Sequence, residues 1–409
     1  VIGTAFQAFH ASQGPEMGLP QMIQSRAQFG YRGVIVPLLG TLVSLVGYNV
    51  VSTVLVSAGS HALWGANRSA VAVGMSLLAA ALAIWGYDWL HRVFRILFWI
   101  SLPLFCVLSL AILTGKAGGT TPAQGVFSWA AFVTQLASAA SFNITAAPYV
   151  SDYSRYLPTR TPRGKIILNV FAGSALSAIW LIAVGAWLAT HLGIDDGLLA
   201  LKQAGDGLWP GLGSILAAVS IAALFATVGM NAYSGMLTFV TTVDSLRPVK
   251  PTRTLRVIVI LALMVAWITI AVGFGGNAVT YVNGMLVMML YFLMPWTAVN
   301  LIDYFYLRRG RYSIPDLFEP NGLYGAWGKR GLAAYAVGFV ASAPFFVIPN
   351  VYTGPLAARL SGVDIGWLVS ALAASATYLL VSLRFNPADE QPTSVASVRA
   401  SDLRAVEPS

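Results

Sequence analysis

The chain has 409 residues, of which 57% are hydrophobic and only 10% charged, with a formal net charge of +9. That balance excludes an ordinary soluble domain, where about a quarter of residues carry charge. A basic excess raises nucleic acid as a partner, but the basic residues sit where a membrane protein needs them, so no nucleic acid is expected.

Residues 33–67, 69–87, 96–115, 117–151, 166–190, 207–243, 257–302, 331–358 and 365–383 contain no Lys, Arg, Asp or Glu. A helix of ~20 apolar residues crosses the hydrocarbon layer, and nearly every run is long enough. Only helices and closed barrels satisfy backbone polar groups in lipid, and these runs are too long for barrel strands. The fold class is therefore an all-α polytopic membrane protein. In chain order, residues 1–12 predict the end of a span. Full spans follow near 34–58, 69–87, 94–114, 127–150, 166–190, 212–240, 256–273, 278–302, 331–349 and 365–383. The long run 257–302 is divided at Gly273-Phe274-Gly275-Gly276-Asn277. Residues 1–383 make one transmembrane domain, and 384–409, rich in Ser, Pro and charge, read as a disordered tail. The chain starts with Val1 rather than Met, so upstream residues are expected to be missing.

Seventeen of the 24 Lys and Arg residues lie in 13–32, 88–95, 152–165, 244–256 and 303–330. The loops between them hold only Arg68, Lys116, Lys202 and Arg359. By the positive-inside rule the basic side is cytoplasmic, and the tail with Arg384, Arg399 and Arg404 joins it. The expected location is the cell (inner) membrane. The single cysteine, Cys106, falls inside a span, so no intramolecular disulfide forms.

Two spans share a G-x-N-x-x-S hexad, Gly47-Tyr48-Asn49-Val50-Val51-Ser52 and Gly229-Met230-Asn231-Ala232-Tyr233-Ser234. Transporters with inverted repeats place substrate between the repeats, near the midplane. Small and polar residues also serve plain helix packing, so the match alone decides nothing. The span 127–150 contains Ser141-Phe142-Asn143-Ile144-Thr145-Ala146-Ala147-Pro148. Proline frees helical carbonyls, and membrane proteins tolerate this where backbone is buried or lines a cavity, so a broken helix is expected here over a simple kink. Asn231 lies in a long uncharged run, where an amide is costly unless paired, either with another helix or with a ligand. Its donor and acceptor suit the edge of a planar amide or amidine. Tyr48 and Phe142 offer faces on which a flat ring could stack. Asp152 and Arg155, just past the span, read as a cytoplasmic capping or salt-bridge network rather than as substrate contacts.

An intramembrane enzyme would need acid–base or metal groups at depth. His10, His61, His91 and His191 fall near span ends or loops, and no H-E-x-x-H, G-x-S-x-G or phosphate-loop pattern is present. Rings of charge or a filter repeat, as in a channel, are not evident either. Neither an enzyme nor a bound metal or cofactor is expected.

Two stretches carry a family resemblance: Gly14-Pro15-Glu16-Met17-Gly18-Leu19-Pro20-Gln21-Met22, continuing through Ser25-Arg26 to Phe29-Gly30-Tyr31, and Ser151-Asp152-Tyr153-Ser154-Arg155-Tyr156-Leu157-Pro158. With them the chain resembles the nucleobase:cation symporter-1 family, permeases for cytosine, purines, uracil, thiamine, allantoin and hydantoins. The resemblance implies two five-helix inverted repeats and two added C-terminal helices. The ten full spans would be helices three to twelve, with the first helix lacking. It places Tyr48 and Phe142 as ring-stacking aromatics, and Ser52, Asn143 and Asn231 as readers of the substrate's polar edge. Tyr48 stands where relatives usually have Trp, Ser52 where an amide is common, and Ala146 where purine–cytosine members often have Trp. The pocket therefore departs from the family's pattern, and a larger or differently substituted heterocycle than cytosine is implied. Sodium-dependent relatives place hydroxyls near positions where this chain has Leu224 and Phe225. Thr227 could substitute, but the pattern leans towards H+ rather than Na+.

The expected function is import of a nucleobase or related planar heterocycle by cation symport with alternating access. The rivals are a same-fold transporter of allantoin, a vitamin precursor or an amino acid, and a non-transporting membrane receptor or scaffold.

Overall fold

The computed structural model describes residues 1–119, 127–194, 196–273, 278–348, 351–386 and 390, without side-chain detail for 278–283 and 286. Almost all regular structure is helical. Helix α1 (Ile2–Ala11) leads into three short helices, α2 (Gln13–Met17), α3 (Gln21–Gln24) and α4 (Arg26–Phe29). Long helices follow: α5 (Ile35–Trp64), α6 (Arg68–Trp85) and α7 (Tyr87–Leu113). The next span is α8 (Trp129–Ile144) and α9 (Ala147–Ser154), succeeded by α10 (Arg163–Leu192), α11 (Gly197–Leu208), α12 (Leu212–Leu246) and α13 (Arg253–Gly273). Helix α14 (Ala278–Leu301) continues as a π-helical turn, Ile302–Leu307, and α15 (Lys329–Ser342), α16 (Pro355–Arg359) and α17 (Gly366–Val381) complete the chain.

Among the described residues, seven helices have the length and apolarity to cross a bilayer unaided. Most spans fall where hydropathy puts them, because a continuous apolar run leaves the backbone no other way to satisfy itself in lipid. The break at 273–277 is flanked by α13 and α14, although residues 274–277 are outside the described set. So is most of the expected C-terminal tail, 387–389 and 391–409. One boundary is corrected. The span expected at 331–349 is helical only to Ser342, because Pro344 removes a helical N–H. The chain then forms a 3-10 turn and a two-residue antiparallel pair, β1 (Val347–Ile348) with β2 (Tyr352–Thr353).

The largest core lies where α5, α6, α12 and α13 converge, around Val50, Val56, Met75, Ala79, Val228, Met236 and Trp267. There the Trp267 indole N–H donates to Ser76 Oγ at 2.8 Å, removing an unpaired donor from the interior. A second core joins Phe29, Trp296, Tyr335 and Tyr378. By contrast, α7 and α10 turn most of their apolar side chains outward, Trp99 and Leu176 among them. Exposed apolar faces of that extent match hydrocarbon, not water.

Candidate substrate site

Helices α5 and α12, which carry the two hexads, pack against each other along their length. Asn49 Nδ2 of the first hexad donates to the carbonyl of Val228, beside Gly229 of the second, at 3.3 Å. Gly47 lets α14 approach: a Cβ there would lie 1.5 Å from Met285 Cε. The shared pattern thus serves a close helix contact, and that contact brings Tyr48 and Asn231 onto neighbouring segments of one seam.

The span α8–α9 is interrupted at Thr145-Ala146, with Pro148 in the first turn of α9. Tyr48 reaches this break from α5, its hydroxyl 2.8 Å from Thr145 Oγ1, while Thr145 also donates to the Phe142 carbonyl at 2.9 Å. Ring and break are therefore linked, as the irregular sequence suggests. Asn143 is buried and donates through Nδ2 to Thr4 Oγ1 of α1 at 2.8 Å. A glycine makes this possible, because a Cβ on Gly3 would fall 2.0 Å from the Ala140 carbonyl oxygen.

Asn231 is only 3% exposed, and none of the described hydrogen bonds engages its amide. Three residues further, Ser234 Oγ lies 2.6 Å from the Tyr153 hydroxyl of α9. Ser52 is buried on α5 one turn beyond Tyr48. Phe142 behaves differently: it is 54% exposed, while its neighbour Asn143 is buried. Thr227 spends its hydroxyl within its own helix, on the Ala223 carbonyl at 2.9 Å. The structure thus links Tyr48 to the α8–α9 break and Asn143 to α1, buries Ser52 on α5 and Asn231 on α12, and leaves Phe142 exposed.

Asp152 is buried, and its Oδ1 accepts from the Gln21 backbone N–H at 3.2 Å, capping the start of α3. The capping role holds, but the expected ion pair with Arg155 does not form. Arg155 Nε donates instead to the Asp152 main-chain carbonyl, and its Nη2 to the Tyr156 hydroxyl.

Several ties at the basic ends of the spans escape a reading of the sequence. Arg26, wholly buried, pairs with Asp244 at the end of α12 at 2.8 Å and sits over the Tyr31 ring at 4.1 Å. Glu16 is held by Arg163 and by the Tyr304 hydroxyl. Burial opposes its ionisation, but the hydrogen bonds from Arg163 and Tyr304 prevail and keep the carboxyl below its ordinary range. Asp303, on the π-helical turn, receives Arg308 at 2.5 Å and the hydroxyls of Tyr312 and Tyr378. The acids stand at span ends beside basic loops, which is the one signal available. The arginine partners of Glu16 and Asp244 lie 147 and 218 residues away, and the Tyr304 partner of Glu16 lies 288 away.

Residues 1–370 match the family model for permeases of cytosine/purines, uracil, thiamine and allantoin. The chain belongs to this family. It is a permease rather than an enzyme, and a multi-pass membrane protein. It is 32% identical over 386 residues to the putative purine-cytosine permease YxlA of Bacillus subtilis, covering 93% of this chain and 83% of that one. It is 28% identical over 206 residues to the purine-cytosine permease FCY2 of Saccharomyces cerevisiae, covering 46% and 36% respectively. In fold it is similar to Mhp1, a nucleobase-cation-symport-1 family transporter, in a closed conformation with bromovinylhydantoin bound. The TM-score is 0.70 at 18% identity, over 98% of this chain and 88% of that one. The all-α transporter architecture is thereby borne out.

Proposed function

We propose that the permease imports a nucleobase-type planar heterocycle across the cell membrane, cytoplasmic loops and C-terminus inside, coupled to a cation, with H+ favoured over Na+. The observation that carries this reading is Asn231 on α12, 3% exposed and without a hydrogen bond to its amide among the described residues, on a helix that packs against α5. A polar group left without a protein partner inside a membrane bundle is costly, and a ligand's edge relieves the cost. An amide can donate to one substrate atom and accept from the next, which suits the adjacent C=O and N–H of a nucleobase. Tyr48 supplies a ring face beside it, and Ser52 and Asn143 supply further polar contacts. Phe142 would complete a stacking pair by moving inward as α8 shifts. Thr227 remains the candidate hydroxyl for a cation. Departures from the usual aromatic and amide positions at 48, 52 and 146 favour a bulkier ring than cytosine.

The test is uptake of radiolabelled cytosine and adenine by permease-deficient cells expressing the full-length protein, with uracil, hypoxanthine, allantoin and amino acids as competitors. Saturable uptake competed by one heterocycle class is expected. Competition by amino acids alone would contradict the reading.

A further inference from the structure

The cytoplasmic end of the seam holds a carboxylate that the substrate site does not use. Asp152 is 3% exposed, on α9, and one of its oxygens takes the Gln21 N–H while the Ser234 hydroxyl of α12 also faces the carboxyl. Neighbouring carboxylates are neutralised differently. Asp303 has Arg308, Asp244 has Arg26 and Glu16 has Arg163. Asp364, far along the chain beside α17, receives the Tyr291 hydroxyl at 2.6 Å and the Gly366 amide. No ion pair involves Asp152 among the described residues.

A buried carboxylate without a cation partner is costly in the charged form and cheap in the neutral one. Place adds to this. Asp152 lies between α3 and α12, and Ser234 is one turn along α12 from Asn231. Its surroundings are fixed by a relay of amides: Ser151 Oγ to Gln21 Oε1 at 2.5 Å, Gln21 Nε2 to Gln13 Oε1 at 2.9 Å, and Gln13 Nε2 to Asn300 Oδ1 at 2.9 Å. The carboxyl is therefore held at the contact of α9 with α12, where any movement of one against the other changes its exposure.

We propose that Asp152 is the proton-carrying group of the transport cycle. The inference rests on the proposed cation coupling and names its site. The carboxylate takes one proton from the outer side, forming a neutral carboxylic acid, and α9 and α12 close over it. When they part on the cytoplasmic side, the O–H bond breaks, the proton leaves to water and the carboxylate is regenerated. Other titratable groups face this region: Tyr149, Tyr153 and Arg155 on α9, Tyr233 on α12, Tyr87 and His91 on α7, Glu16 on α2 and His10 on α1. His10 is the rival carrier, because it is buried and stacked on Trp296 with both ring nitrogens unpaired.

The test uses full-length protein in liposomes with radiolabelled cytosine and adenine. Two quantities are compared, accumulation driven by an inward pH gradient and counterflow without a gradient. One pH unit sustains about tenfold accumulation per proton. In Asp152→Asn the ratio of driven accumulation to counterflow should fall by about that factor, while Asp152→Glu restores it and His10→Gln leaves it unchanged. A second arm needs no substrate: infrared difference titration of the purified protein should show a carboxylic-acid band that titrates in the wild type and His10→Gln, and is lost in Asp152→Asn. Gradient-driven accumulation retained in Asp152→Asn, or a carboxylic-acid difference spectrum there identical to that of the wild type, would overturn the assignment; Asp364→Asn identifies the contribution of another buried carboxyl without a cation partner among the described residues. Failure of wild-type counterflow would instead defeat the heterocycle reading, and the infrared arm would still decide Asp152.

Discussion

Arg26 shows how much a single side chain can hold in this molecule. Its guanidinium is 0% exposed and bonds to Asp244, to Ser245 Oγ and to the Leu317 carbonyl, so one residue of α4 ties the end of α12 to the loop after α14. Removing one partner of a buried pair costs about 3–5 kcal/mol because the other charge is stranded. Asp244 is 26% exposed, and water discounts that figure. Asp244→Ala should therefore lower stability by about 1–3 kcal/mol, read as a fall in melting temperature in detergent. The double variant with Arg26→Met should melt higher than Asp244→Ala alone. Neither partner could be read from the sequence as a pair, since nothing local connects positions 218 residues apart. The burial of Asn231, by contrast, was legible, because an amide in a long uncharged run stands out on cost alone. Phe142 was not, because whether a helical aromatic faces inward depends on the rotation of α8, which one sequence does not set.

At the scale of elements, the break between α8 and α9 follows from Pro148 and its polar neighbours, and the hexads do lie on helices that touch. What hydropathy misses are the short pieces. Helix α11 is amphipathic and partly charged, and starts where Asp196 Oδ1 accepts from Leu198 and Leu199 N–H at 2.9 Å. Helices α2 to α4 each span five residues or fewer, too short for any periodicity to show. Close approach of α1 to α8 is the element contact that most directly supports the site. Gly3→Val sets a side chain against the Ala140 carbonyl and separates the two helices, breaking the Asn143–Thr4 bond. Overpacking of this kind costs about 1–3 kcal/mol. The variant should show a lower melting temperature and reduced uptake, with Gly3→Ala intermediate between it and the wild type.

For the whole molecule, the proposed alternating access requires a face that can close and reopen, and the end that carries the basic loops is tied by ion pairs. Glu16 links α2 to α10 and to Tyr304 at the end of α14, and its carboxyl titrates below the ordinary value of 4.5. A group depressed in this way contributes stability above its unfolded pKa and loses it as pH falls through the lower folded value. Melting temperature should accordingly fall on acidification below about pH 4.5 in the wild type. Glu16→Gln should be less stable near neutral pH, with a shallower acid-side decline. The two curves would run parallel if Glu16 contributed nothing.

The central claim is that a nucleobase-type ring is bound at the α5–α12 seam by the Asn231 amide. The most direct measurement is saturable uptake of radiolabelled cytosine and adenine by cells expressing the wild type or Asn231→Ala, normalised to protein in the membrane. The account predicts uptake by the wild type and its loss in Asn231→Ala at equal abundance. Equal uptake by the two proteins would contradict it.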